Sequence, residues 1–219
     1  MTEINDYINN DYKAIDSKET IESVQDFFSE VSYTHFPVID EGIYIGSIAT
    51  DDIETFDLDK QIIDYRYTLE GFFARKNMIW LDVLEVFAKN HANVVPILDD
   101  ANAYIGYYEL EDIIKFFHET PFLKEQGGII VVQTSIIDFS MSQIAQIVES
   151  NNGKLLGLFI SEADATSIKV TIKVSLGGLN DIIQTFRRYN YEIISEHNED
   201  NYLNNLKERS EYLDKYLNI

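Results

Sequence analysis

The chain has 219 residues, and 17 Lys and Arg against 38 Asp and Glu give it a formal net charge of −21. This charge disfavours nucleic acid and anionic membrane surfaces as partners, because both bind proteins through Lys and Arg. The absence of Cys excludes disulfides, thiol catalysis and Cys-ligated metals. No apolar run approaches the ~20 residues that span a bilayer, and the first residues lack the basic and apolar parts of a secretion signal. We therefore expect a cytoplasmic protein that binds neither nucleic acid nor membranes.

The first half of the chain contains an internal repeat. One copy begins at Thr20 and reads TIESVQDFFSEVSYTHFPVIDEGIYIGSIATDDI, and the other begins at Trp80 and reads WLDVLEVFAKNHANVVPILDDANAYIGYYELEDI. A repeat of this length predicts two similar units that complete one another's core. The matching pairs are Ile21 and Leu81, Val24 and Leu84, Phe27 and Phe87, Pro37 and Pro96, Gly46 and Gly106, and Asp52 and Asp112. All are 60 positions apart except the prolines, which are 59 apart, so the second copy is interpreted as losing one residue between its helix and its proline.

Each copy predicts a helix, a strand, a tight turn, a second strand and a closing helix. In the first copy, Asp16 and Glu19 form a capping-box pattern ahead of an apolar stripe at helical spacing. The strands are predicted from short apolar runs that turn residues separate. The predicted ranges are Phe36–Ile39, Ile43–Ile48 and a helix over Asp51–Phe56 in the first copy, and Val94–Leu98, Tyr104–Tyr108 and a helix over Leu110–His118 in the second.

The second half of the chain changes character after Pro121. Strand and helix patterns follow there in the order βαββαβ, which predicts two helices on one face of a four-stranded antiparallel sheet. The predicted strands are Ile129–Gln133, Lys154–Ile160, Ile168–Ser175 and Tyr191–Ile194, and the helices cover Ser140–Asn152 and Leu179–Phe186. Residues 197–219 form a polar tail whose leucines recur at helical spacing, and it predicts a C-terminal helix that packs on another surface.

The two copies share a pattern that resembles a known family. Each has an apolar residue, Pro, two apolar residues and Asp, then a turn, then Ile-Gly followed six residues later by Asp. This pattern resembles a tandem pair of CBS domains, a Bateman module. The βαββαβ segment resembles an ACT domain, and the order of the two is similar to small bacterial CBS–ACT proteins, including the acetoin-utilisation accessory type. The expected α+β chain thus has CBS repeats over 1–60 and 61–121, a ferredoxin-like ACT-type domain over 122–196, and the tail.

The resemblance implies that AMP, ADP or ATP binds in clefts between the two copies. In the family, the last strand and its helix read Gly, two apolar residues, Thr or Ser, two variable residues and Asp, and the Asp accepts hydrogen bonds from ribose. Asp52 and Asp112 match this Asp, whereas Ala49 and Glu109 replace the hydroxyl residue. The candidate ligand-binding residues, including those before each proline that line the family's base pocket, are His35, Pro37, Ile48, Asp52, Asn93, Pro96, Tyr108 and Asp112.

The two replacements affect the sites unequally. Glu109 beside a phosphate would bring two negative charges together, at a cost of several kcal/mol unless a cation intervenes. Ala49 removes one hydrogen bond, worth about 1 kcal/mol, and the neighbouring Thr50 is a candidate substitute. Asp52 and Asp112 also have an explanation without a ligand, as acids in the first turns of helices. Two hypotheses therefore stay open, a nucleotide sensor and a ligand-silent scaffold with degenerate sites.

No constellation in the sequence predicts an enzyme. The four His residues are far apart, no phosphate-binding loop is recognisable, and no metal-ligand spacing occurs. The loop at 138–144 also lacks the Gly that the ACT resemblance implies for an amino-acid site. We expect a non-enzymatic regulatory homodimer without a metal, and the sequence does not identify its protein partner.

Two aromatic pairs predict a second buried surface. Tyr107 and Tyr108 are neighbours on a strand, and Phe116 and Phe117 are neighbours on a helix, so the members of a pair cannot share one face. One member of each pair is expected to meet another buried surface, such as a subunit interface.

Overall fold

The computed structural model describes residues 3–175 and 177–195. The chain divides into two compact units, Met1–Phe117 and His118–Ile219. Among the described residues, no helix combines the length and the apolar composition that crossing a bilayer requires. The predicted C-terminal helix over residues 197–219 lies outside the described residues.

The first unit contains two copies of one series of elements. In each copy a short strand pairs in parallel with the first strand of a hairpin, and a helix on either side of the hairpin completes the series. The predicted helix–strand–strand–helix order is confirmed, whereas the short leading strand has no signal in the sequence. The elements are β1 (Ile15–Asp16), α1 (Ile21–Glu30), β2 (His35–Asp40), β3 (Ile43–Ala49) and α2 (Thr50–Ile53), then β4 (Ala74–Arg75), α3 (Trp80–Asn90), β5 (Val94–Leu98), β6 (Tyr104–Glu109) and α4 (Leu110–His118).

Helix α1 begins later than the capping-box pattern predicts. Its N-cap is Thr20, whose hydroxyl accepts a hydrogen bond from the Ser23 amide at 3.3 Å. The Asp16 amide does donate to Glu19 Oε1 at 2.9 Å, but this bond closes a turn between β1 and the helix. Helix α2 is also shorter than predicted, because it ends at Ile53.

The first helix of each copy, α1 and α3, matches the other at a shift of 59 residues, so the predicted shift of 60 is wrong for these helices. The buried Val24 and Phe28 of α1 correspond to the buried Val83 and Phe87 of α3. No residue is lost between α3 and Pro96, and the one extra residue of the second copy lies between Pro96 and Gly106, in the turn of its hairpin. Leu81 and Leu84 consequently do not take the core positions of Ile21 and Val24. They occupy the positions of Glu22 and Gln25.

Each copy supplies part of the other's core. Tyr107 and Tyr108 on β6 are both fully buried, but Tyr107 packs with Val94 in the core of the first copy and Tyr108 packs in the core of the second. The second buried surface predicted for these neighbours is therefore the opposite repeat within one chain. Phe116 meets Tyr7 and Trp80, and Phe117 also stacks on Trp80, so both half-buried rings of this pair contact the same side chain.

The segment that precedes each copy packs on the opposite copy. The N-terminal arm, residues 3–10, contains the 3₁₀ helix Ile4–Tyr7 and pairs Asn9 with Tyr107 of β6 through amide–carbonyl bonds of 2.8 and 3.1 Å. The linker arm, residues 61–71, contains the 3₁₀ helix Ile62–Thr68 and pairs Glu70 with Ser47 of β3 at 2.8 and 2.9 Å. The two copies are thus tied together by exchanged arms as well as by exchanged core side chains.

The second unit has the predicted βαββαβ order. Its sheet is antiparallel with the strand order β10-β7-β9-β8, which is the ferredoxin-like arrangement that the sequence predicts. Its buried apolar residues come from β7, β9 and both helices, so the core lies between the sheet and the helices. The elements are α5 (Pro121–Lys124), β7 (Gly127–Ser135), α6 (Met141–Ser150), β8 (Leu155–Ala163), β9 (Ser167–Ser175), α7 (Leu179–Arg188) and β10 (Glu192–Ile193).

The close approach of the N-terminal arm to β6 requires glycine at position 106. Gly106 has a φ of +142°, and a Cβ there would lie 2.7 Å from the Asn9 carbonyl oxygen. We expect Gly106→Ala to lower the free energy of unfolding by about 2 kcal/mol, because backbone of the arm must move. Gly71→Ala is the control, since a Cβ there meets nothing within 4 Å. Urea denaturation monitored by circular dichroism measures the free energy of unfolding of both variants. Equal decreases in the two variants would contradict the close approach of the arm to Gly106.

Candidate ligand-binding site

An open cavity of about 590 Å³ lies where the first copy, the linker arm and the end of α3 meet. Its volume is within the range of small-molecule sites in proteins. His35 and Asp52 come from the first copy, Glu70 from the linker arm, and Lys89 and His91 from the end of α3. The exchange of arms between the copies therefore builds the cavity, which neither copy could form alone.

His35 is held on two sides within this cavity. It is the first residue of β2, and only 8% of its surface is exposed. Its Nδ1 lies 3.0 Å from the Thr34 hydroxyl, its Nε2 lies 3.4 Å from Glu70 Oε1, and its ring meets the edge of Phe72. The ring orientation is thus fixed by groups from both the first copy and the linker arm.

Asp52 lies half-buried in the first turn of α2, beside Ala49 and Thr50 at the cavity wall. The Thr50 hydroxyl, considered above as a substitute for the family's missing hydroxyl, donates to the Tyr33 carbonyl at 2.6 Å. Its proton is therefore already used within the protein. The carboxylates of Asp51 and Asp52 in this turn line the cavity with free acceptor capacity, and Asp52 is the less exposed of the two.

The charge around the cavity is predominantly negative. Asp51, Asp52 and Glu70 line it, while Lys89 is its cation and already lies 2.5 Å from Glu85. Helix α3 also ends at this wall, with His91 as its C-cap at a φ of 50°. The C-terminal end of a helix carries partial negative charge, which adds to that of the carboxylates. The cavity consequently favours a neutral or cationic group over an uncompensated phosphate.

Thr34 and Asn93 join the two copies next to this cavity. Asn93 Oδ1 accepts from the Thr34 amide at 2.8 Å, the Thr34 hydroxyl accepts from the Asn93 amide at 3.0 Å, and Asn93 Nδ2 donates to the Ser32 carbonyl at 2.7 Å. These two residues are 59 positions apart and occupy matching places in the repeats. Asn93, predicted as a ligand residue, thus has a structural role in this contact.

The matching hollow in the second copy is smaller, about 350 Å³, and protein groups already bind the carboxylate at its wall. Glu109, at the position of Ala49, accepts hydrogen bonds from the Tyr33 hydroxyl at 2.9 Å and from Asn9 Nδ2 at 2.7 Å. Burial and this carboxylate raise the pKa of Tyr33 and keep its phenol protonated. Asn93 and Glu109 line this hollow, whereas Asp112 does not and lies 3.2 Å from Lys115 on its own helix.

The other predicted site residues lie within strands. Pro37 and Pro96 are buried in β2 and β5, where they face Ser47 and Tyr107 across the hairpins. Ile48 belongs to the core of the first copy and Tyr108 to that of the second, where burial raises the pKa of Tyr108 to about 12. Of the eight predicted residues, only His35 and Asp52 therefore come together around one open cavity.

Sequence reasoning missed the residues that other elements contribute to the cavity. Glu70 lies in an irregular segment between the copies, and Lys89 and His91 end a helix of the second copy. The hydrophobic periodicity of these two segments gives no sign that Glu70, Lys89 and His91 meet His35. Within residues 3–175 and 177–195, no group of three His, Asp or Glu side chains is arranged to hold a metal ion.

No protein-family model matches the sequence, and a comparison with curated proteins finds no match either. The fold is similar to a CBS domain pair/ACT domain protein of Thermotoga maritima, at 16% identity over 54% of this chain and 98% of that one, with a TM-score of 0.49. It is similar to the CBS pair domain of a putative Mg²⁺ transporter of Shewanella oneidensis, at 22% identity over 54% and 71%, with a TM-score of 0.48. A third similar structure is CBSX2 in complex with AMP, at 13% identity over 53% and 96%, with a TM-score of 0.44.

The hydrogen bond to Glu109 predicts a stabilising role for the Tyr33 hydroxyl. Tyr33→Phe removes one of the two hydrogen bonds to Glu109, and we expect the free energy of unfolding to fall by about 1.5 kcal/mol. Tyr12→Phe is the control, since its ring packs on the same aromatic cluster but no described residue bonds its hydroxyl. Urea denaturation at pH 7 measures both variants. A loss in Tyr12→Phe as large as that in Tyr33→Phe would refute the assignment.

Proposed function

We propose that residues 1–121 form a CBS domain pair that binds one adenosine nucleotide in the cavity at His35 and Asp52. In this proposal the chain is a non-enzymatic regulatory protein that works as a homodimer, and the second unit is an ACT-type domain. The observation that carries the proposal is that His35 and Asp52, which the family resemblance selects independently, line the same open cavity between the repeats. The solved structures described above are too distant to carry the ligand over to this chain.

The cavity supports a definite orientation for the ligand. The Asp52 carboxylate has acceptor capacity for the two ribose hydroxyls, which are hydrogen-bond donors. The imidazole of His35 lies at the inner wall, where it offers a flat surface to a purine while Thr34 and Glu70 hold its two ring nitrogens. The phosphate end would then point toward Lys89 at the open side of the cavity.

The negative lining predicts a preference among nucleotides. Each phosphate brought near Asp51, Asp52 and Glu70 adds repulsion that one ion-paired Lys cannot offset. We therefore propose that AMP, with its single phosphate, binds more tightly than metal-free ADP or ATP, and that Mg²⁺ strengthens the binding of ADP and ATP by neutralising their additional charge. Binding would favour one arrangement of the two repeats, and its effect cannot exceed the difference in affinity between the two arrangements.

The ACT-type unit is proposed to lack an amino-acid site of the usual kind. The loop after β7 uses its polar groups within the protein: Asp138 accepts from the Ser135 hydroxyl at 2.7 Å, and Ser140 caps α6 by accepting from the Gln143 amide. Neither side chain is left to hold a ligand. This supports a structural or assembly role for the second unit.

The alternative function is a ligand-silent scaffold. The carboxylate of Glu109 at the second hollow and the engaged hydroxyl of Thr50 favour it, because neither position offers a free hydroxyl to hold a phosphate. The nucleotide hypothesis is favoured by the first cavity, which is open and has an available carboxylate. Direct binding measurements separate the two functions.

Isothermal titration calorimetry with AMP, and with ADP and ATP in the presence and absence of Mg²⁺, tests the proposal. We expect one nucleotide per chain and an Asp52→Ala variant at least tenfold weaker, since it loses hydrogen bonds from ribose to a charged acceptor. Asp112→Ala is the matched control and should bind as the wild type does, because Asp112 does not line the cavity at His35 and pairs with Lys115 on its own helix. No heat with any nucleotide at millimolar concentration would favour the scaffold, and equal weakening by both variants would refute the choice of site.

A further inference from the structure

The sheet of the second unit buries one face and leaves the other without its main helices. The inner face packs on α6 and α7, and Val132 of β7 and Val170 of β9 are fully buried there. Successive side chains of a strand point to opposite faces of a sheet, so Val131 and Thr171 lie on the outer face. Ile129 lies on the outer face too, and 43% of its surface is exposed. The outer face therefore presents apolar side chains that α6 and α7 do not cover.

One row of outer-face residues crosses all four strands. Val131 of β7 pairs in register with Thr171 of β9, and Thr171 pairs with Phe159 of β8. At the other end, the amide of Ile194, directly after β10, donates to the Val131 carbonyl at 2.8 Å. Phe159 is 48% exposed and Ile194 is 43% exposed. We call Ile194, Val131, Thr171 and Phe159 the outer-face row, which is an apolar strip apart from its one Thr.

Helix α5 already covers one corner of this face. Gly157 of β8 pairs with Lys173 beside the outer-face row, and a Cβ at Gly157 would lie 2.6 Å from the ring of Phe122 in α5. The Phe122 ring also lies 5.9 Å from the Phe159 ring, at one end of the row. Because α5 has only four residues, it cannot extend along the row to Val131.

The outer face also carries a cation that lacks a carboxylate. Only 8% of the surface of Lys173 is exposed, although Lys is rarely so buried unless it is paired. The other lysine of this face, Lys169, lies 2.6 Å from Glu162, whereas no residue that the structure describes forms an ion pair with Lys173. The charge on this face therefore favours an acidic segment as its cover.

Residues 196–219 have the position and the composition of such a cover. They follow Ser195, whose hydroxyl accepts a hydrogen bond from the Val131 amide at 2.9 Å, so the segment leaves the sheet at the outer-face row itself. The segment contains six Asp and Glu against three Lys and Arg, which suits a face with the unpaired Lys173. We call its four leucines at helical spacing the leucine stripe, which consists of Leu203, Leu206, Leu213 and Leu217.

The lengths of the segment and of the sheet agree. Four strands about 4.8 Å apart place the two ends of the outer-face row about 14 Å from each other. A helix from Leu203 to Leu217 is about 22 Å long at a rise of about 1.5 Å per residue. The connecting residues 196–202 reach about 23 Å when extended, which is enough to turn the chain back over the sheet. One helix of this length can therefore cross all four strands.

We propose that residues 197–219 form a helix that lies across the outer face of this sheet, with its leucine stripe on the outer-face row. The contact removes both apolar surfaces from water and brings an acid of the segment to Lys173. A second copy of the chain is a poorer occupant, because a symmetric contact of this face with itself would bury two unpaired Lys173 side chains. The segment closes the outer face to other proteins, and the contact does not depend on nucleotide binding in the first unit.

Thiol reactivity tests the contact in the full chain. The chain has no Cys, so Thr171→Cys places a single thiol in the middle of the outer-face row. In this background we expect Leu206→Glu/Leu213→Glu to raise the rate of reaction with a maleimide about tenfold, because the charged segment no longer shields the row. The matched control Asn204→Glu/Asn205→Glu adds the same charge away from the leucine stripe and should leave the rate unchanged. Equal rates in the two variants would overturn the proposal.

A cross-linking experiment keeps the proposal testable if the charged variant misfolds. Ser210 lies on the side of the predicted helix that carries the leucine stripe, whereas Glu208 lies on the opposite side. A short bis-maleimide should join the two thiols of Thr171→Cys/Ser210→Cys within one chain, and those of Thr171→Cys/Glu208→Cys in much lower yield. Equal yields from the two pairs would refute the position of the segment. A product of twice the chain mass from Thr171→Cys/Ser210→Cys would refute it too, because a second copy would then supply the cover.

Discussion

The exchange of segments between the two repeats is the constraint on which the first unit depends. Tyr107 of the second copy fills the core of the first, while the N-terminal and linker arms each add backbone bonds to a strand of the opposite copy. Gly46 and Gly106, both at a φ of +142°, allow the arms to come that close. Because neither core is complete without the other copy, the repeats are expected to fold as one cooperative body rather than as two small domains.

The same exchange makes the two crevices unequal. In the first, the linker arm brings Glu70 against His35 and leaves an open cavity. In the second, the N-terminal arm brings Asn9 against Glu109, and the Tyr33 hydroxyl binds the same carboxylate. Replacing Ala49 by Glu109 at equivalent positions thus has a structural consequence: the carboxylate binds protein donors and occupies its own site. The asymmetry extends to the outer helices, where acidic side chains in the first copy correspond to apolar ones in the second.

Local patterns in the sequence predicted the helices, hairpins and ferredoxin-like order well, because each depends on periodicity within a short segment. The register of α3 was misassigned because Trp80-Leu81 and Val83-Leu84 each offer two adjacent apolar residues, and only burial distinguishes the core-facing one. The family pattern selected His35 and Asp52, and both line one cavity in the structure. It could not reveal that Glu70 and Lys89 join them, or that Tyr33 binds Glu109 of the second copy, since those contacts arise only when the repeats meet.

Hydrogen exchange followed by mass spectrometry, at increasing urea concentrations, tests most directly whether the repeats form one body. The account predicts that the amides of β2 and β3 and those of β5 and β6 converge on a single free energy of opening, because losing one copy exposes the core of the other. Full exchange of the β2–β3 hairpin while the β5–β6 hairpin keeps its protection would contradict this. Such a result would mean that each repeat is stable alone and that the exchanged segments do not unite them.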